Sequence, residues 1–118
     1  MKSDCERTAT FLESLGPTQQ MRFLARLMYE LTLSGRACYS TDSPGIDRPN
    51  DLRIVNELQH GVSARLMKIH ADGQQIENVK SFVEIFLEDK RGTAFFGFIR
   101  LAFFGALKSS AEQRAKSK

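Results

Sequence analysis

The chain has 118 residues, 42% of them hydrophobic and 26% charged, enough for one buried core, too short for two, and too apolar for a disordered chain. Its formal charge of +3 does not describe a nucleic-acid-binding face: residues 1–107 carry 13 Lys/Arg and 13 Asp/Glu, and the excess comes from Lys108, Arg114, Lys116 and Lys118 against Glu112. Cys5 and Cys38 stand far apart without a Cys-x-x-Cys, which excludes a disulfide framework or a zinc knuckle and suits a reducing cytoplasm.

Ser3 and Glu6 have capping-box spacing, and Phe11, Leu12 and Leu15 follow on one face, so a short first helix is expected over residues 4–15. Gly16 and Pro17 stop it. The second helix is expected from about Thr18 to Tyr39, where Met21, Leu24, Met28, Leu31, Gly35 and Cys38 recur at alternating steps of four and three. Phe23 and Leu27 widen that seam into the face of a packed bundle helix. Thr41-Asp42-Ser43-Pro44-Gly45 gathers turn formers, which places the longest loop there.

A third helix opens at Pro49 or Asn50, with Leu52, Val55, Leu58, Val62, Leu66 and Ile69 on its apolar face, and closes at Asp72-Gly73. The fourth, roughly Gln74 to Lys90, presents Ile76, Val79, Phe82, Val83, Phe86 and Leu87, and Gly92 suits a left-handed C-cap. The fifth differs in kind. After Thr93 as cap, residues 94–107 are apolar around nearly the whole circumference, interrupted only by Arg100. Such a helix needs cover on every side.

The expected fold is therefore all-α. It is a bundle of four to five helices over residues 1–108, with two long antiparallel helices and a C-terminal aromatic-rich helical hairpin. A basic, polar tail over 109–118 is expected to fray. No segment reads as a transmembrane span, because the apolar stretch over 93–107 is shorter than the ~20 residues a bilayer requires. The first residues also lack the apolar run of a signal peptide.

Three places could carry chemistry. Glu57 and His60, three residues apart on one helix, have the spacing of half a carboxylate-bridged metal site. They need further ligands from other helices, and an ordinary polar helix face gives the same pattern. Arg100, in the least polar stretch of the chain, must reach solvent along its stem, pair with a carboxylate such as Glu84 or Glu88, or meet an anionic ligand or partner. Seven of the nine phenylalanines fall between Phe82 and Phe104.

Such an aromatic cluster makes core, an oligomer interface or an apolar ligand cavity. Cover for the fifth helix is most simply supplied by a second copy, through Phe95, Phe96, Phe98, Ile99, Phe103, Phe104 and Leu107. No Gly-x-Ser-x-Gly or phosphate-binding Gly-rich loop is present. The expected function is a cytoplasmic interaction module acting as a homodimer or by protein binding. The alternative is a metal- or small-ligand-binding bundle using Glu57, His60 and Arg100, and nucleic acid is not an expected partner.

Overall fold

The computed structural model describes residues 3–116. Five helices follow in order: α1 (Asp4–Glu13), α2 (Pro17–Ser40), α3 (Arg48–Asp72), α4 (Val79–Leu87) and α5 (Phe96–Lys116). There is no strand among the described residues, and no helix is long and apolar enough to cross a membrane. The central element is α2. It packs against α3 on one side and α5 on the other, while α1 lies on α4 and α4 on α5.

Contacts along α2 show its two neighbours running antiparallel to it. Gly35 meets Leu52 and Val55 of α3, and Thr32, further back on α2, accepts from Gln59. On the other side Ser34 donates to the Phe98 carbonyl, and Glu30 abuts Gly105. The buried face of α2 is Gln20, Phe23, Leu24, Leu27, Leu31, Ser34 and Cys38. It is rotated from the expected seam toward its second row, which leaves Met21 and Met28 at the edge of the core. The rotation follows from having helices on both flanks, because a stripe of two positions per heptad suits a single partner.

The helix ends are set by local chemistry. The Ser3 side chain accepts from the Glu6 N–H at the start of α1, and Pro17 opens α2, where its missing N–H costs nothing. Asp47 caps α3, and Gly73 closes it in the left-handed conformation at φ 67°. Arg48 ties the 41–47 loop down through the Cys38 and Thr41 carbonyls and the Asp42 carboxylate.

Two buried polar side chains join segments distant in sequence. Asp51 accepts from the Asp47 N–H at 3.0 Å and from the Thr93 hydroxyl at 2.9 Å, fastening the start of α3 to the segment before α5. Gln20 donates to the Leu12 carbonyl and accepts from the Ile76 N–H, both at 2.8 Å. The second bond helps explain why α4 begins at Val79 rather than near Gln74. The Ile76 N–H is committed to Gln20 of another helix, and Asn78 sits in the left-handed region at φ 51°. The six apolar positions expected for this helix are nevertheless all buried.

The last helix is longer than expected. It continues beyond Lys108 to Lys116, with Ser110 buried on its inner face. Arg114 donates to the Ser14 hydroxyl and lies over the Phe11 ring at 5.8 Å. Of the 109–118 segment read from composition as a fraying tail, residues 109–116 are helical and Arg114 docks on the end of α1, while residues 117 and 118 lie outside the described residues.

Candidate functional site

The aromatic residues divide between the inside and the outside of the molecule. Phe95, Phe96, Ile99 and Phe103 are buried within the single chain. Phe103 forms the hub: its ring stacks on Phe86 with centroids 4.9 Å apart, and it meets Phe23 and Phe82 edge-on at 5.6 and 6.3 Å. Four of the seven residues expected to need a second copy are thus covered by the chain's own helices. Two turns of α5 lie in the angle between α2 and α4, where apolar side chains face them from both sides.

The outside of α5 keeps an apolar stripe. Phe98 and Leu107 are half-buried and Phe104 is 42% exposed. Leu101, not among the residues expected at an interface, is 69% exposed and the most exposed large hydrophobic side chain of the described residues. Leu101 and Phe98 share a shallow hollow of about 200 Å³ with Leu33, Ala37 and Glu30 of α2. Leu33 is 37% exposed, and Tyr29, four residues earlier, lies beneath the Arg26 guanidinium at 5.1 Å.

Neighbouring groups flank this face. Arg26 pairs with Glu30 at 2.8 Å, and a Cβ on Gly105 would come within 3.3 Å of the Glu30 carboxyl carbon. Glycine at 105 therefore allows the close approach of α2 and α5. Leu101 was detectable from helical geometry: once 99, 102, 103 and 106 face inward, 97, 101, 104 and 108 must face outward.

The metal-like pair takes another form. The Glu57 carboxylate lies between Arg53 at 2.5 Å and Arg91 at 3.7 Å, on an exposed part of α3. His60 is exposed and has no hydrogen-bond or ion-pair partner among the described residues. Among the described residues no three His, Cys, Asp or Glu side chains converge where a metal ion could be held. Arg100 stands exposed on α5 and shares no hydrogen bond, ion pair or hollow with Glu57 or His60. Glu84 and Glu88 face Lys90, at 3.9 and 3.5 Å, rather than Arg100.

Both cysteines are free thiols held in the protonated form. Burial, then the Glu88 and Glu84 carboxylates, push the Cys5 thiol up; burial, then Asp51, raise Cys38. A thiol in that condition is a poor nucleophile. The most distinctive surface feature among the described residues is accordingly the outward apolar stripe of α5, whose Leu101 shares a hollow with Leu33. Comparison with family models, with curated proteins and with solved structures returned no match.

Proposed function

We propose that this chain is a helical interaction module, residing in the cytoplasm, that self-associates through the outer stripe of α5 and the adjoining edge of α2. The observation that carries the reading is the exposure of Leu101 and Phe104 on the outer face of α5, with Leu101 sharing a hollow with Leu33 of α2. Contiguous apolar surface left in water loses about 25 cal/mol per Å², which a partner recovers by covering it.

The spacing favours a second copy as that partner. Gly97, Leu101, Phe104 and Lys108 step by four, three and four, a heptad seam symmetric about its own midpoint. Two such helices laid antiparallel set Leu101 of one against Phe104 of the other, and Gly97 against Lys108. Nothing lies within 4 Å of a Cβ placed on Gly97, so that end is open for a long lysine stem to lie along. An interface of this kind obeys the two-fold rule that the same patch serves both subunits.

Sedimentation velocity of the full chain at micromolar concentration tests it. The wild type is expected at the mass of two chains. Leu101→Glu is expected at the mass of one with its helical circular dichroism unchanged, because the side chain is already largely in water. A wild type that sediments as one chain up to about 100 μM would overturn the proposal. A Leu101→Glu protein that stays dimeric would remove α5 as its seat.

A further inference from the structure

A groove separates α3 from α4. The two helices are consecutive in sequence, yet α4 packs on α1 and α5, whereas α3 packs on α2. Two hollows lie along the groove. One of about 380 Å³ is lined by Gln74, Asn78, Ser81 and the Lys68–Glu77 ion pair, together with Ala64, Ile69 and Ile76. The other, about 190 Å³, is lined mainly by Leu58, Val62, Phe82, Ile85 and Phe86. Arg65 lines both and stands where they meet.

The Arg65 side chain is half-buried and positioned from two directions. Its guanidinium carbon lies 4.8 Å from the centroid of the Phe82 ring, and Nη1 donates to the Gly61 carbonyl at 2.9 Å. A Cβ on residue 61 would meet that Nη1 at 3.2 Å, so glycine leaves room for the group to fold back over the helix. Burial pushes its pKa down. Among the described residues no carboxylate pairs with it to offset that cost. The acidic residues along the groove are engaged elsewhere, Glu77 with Lys68 at 2.8 Å and Glu57 with Arg53 and Arg91.

A guanidinium carries five N–H donors, and partly buried cations are normally paired. Among the described residues, the Asn78 and Ser81 side chains in the larger hollow make no hydrogen bond. On the apolar side, Ile85 is 43% exposed at the wall of the smaller hollow. We propose that this groove binds a small amphipathic organic anion, its carboxylate on Arg65 and its apolar tail along Leu58, Val62, Ile85 and Phe86. The planar fork of Arg65 matches a carboxylate in bidentate geometry, and the stack on Phe82 holds the fork in place. The groove shares no residue with the α5 stripe, so binding here goes beyond self-association and does not depend on it.

Octanoate is the probe, titrated calorimetrically into the full chain. Saturable binding of one octanoate per chain is expected, weakened at least tenfold by Arg65→Gln. Octanol, which keeps the tail and loses the charge, is expected to bind the wild type at least tenfold more weakly than octanoate. That comparison holds even if Arg65→Gln fails to fold. No saturable octanoate binding up to about 10 mM would overturn the proposal. So would equal affinity for octanol, undiminished binding by a folded Arg65→Gln, or inorganic phosphate binding as tightly as octanoate.

Discussion

Cys38 shows how the environment of one side chain sets both its reactivity and its effect on stability. It is fully buried on α2 within reach of the Asp51 carboxylate, and burial leads that carboxylate in raising its pKa above the ordinary value of about 9. A raised thiol pKa in the folded state means that the protonated form is favoured. The stability gained is complete below the unfolded value and is lost as pH rises through the folded one. The difference in melting temperature between wild type and Cys38→Ala is therefore expected to stay constant from about pH 6 to 8 and to shift against the wild type above about pH 9. A shift confined to pH 6–8 would contradict the assignment. Cys38 was legible as a core residue because it falls on the apolar row of α2. The role of Asp51 was not: its two hydrogen-bond donors are Asp47 and Thr93, and nothing in the spacing of residues 51 and 93 announces their meeting.

At the scale of the helix, apolar periodicity located each element and tertiary bonds moved its ends. The six inward positions of α4 follow from their spacing, but the length of the helix depends on Gln20 capturing the Ile76 N–H from another helix. The run beyond Lys108 illustrates the opposite case. Its composition is polar and basic, and Ser110 buried on the inner face together with Arg114 over Phe11 and against Ser14 keeps it on the body of the protein. A chain ending at Lys108 is expected to lose at least about 1 to 2 kcal/mol, the share of the Arg114 hydrogen bond and its partly exposed cation–π contact. A fall in melting temperature of roughly 4 to 8 °C follows from that loss. A truncated protein that melts with the wild type would show these contacts to contribute nothing in solution. For the candidate sites, the Glu57 and His60 spacing is real on α3, yet the residues that reach Glu57 are arginines. Helix spacing fixes which residues share a face, and it does not identify what faces them.

Considered whole, the molecule covers more of its last helix than its length and composition lead one to expect. The angle between α2 and α4 receives Phe96, Ile99 and Phe103, and the demand for a partner contracts from the full circumference of α5 to one outward stripe. A stripe of that width needs the flanking edge of α2 as well to approach the total of about 1,200 Å² at which specific interfaces become stable. Leu33 and Tyr29 lie where that edge would add area. Of the two surfaces described, the α3–α4 groove depends on Arg65, whereas the self-association account depends on the register of α5 against a second α5.

That register can be measured directly. Gly97→Cys and Lys108→Cys chains, each also carrying Cys5→Ser, are mixed and oxidised, with Cys38 protected by burial. An antiparallel seam through Leu101 and Phe104 is expected to give the mixed disulfide between positions 97 and 108 in preference to either symmetric one. Symmetric 97–97 and 108–108 products in excess, or no cross-link at all, would contradict it.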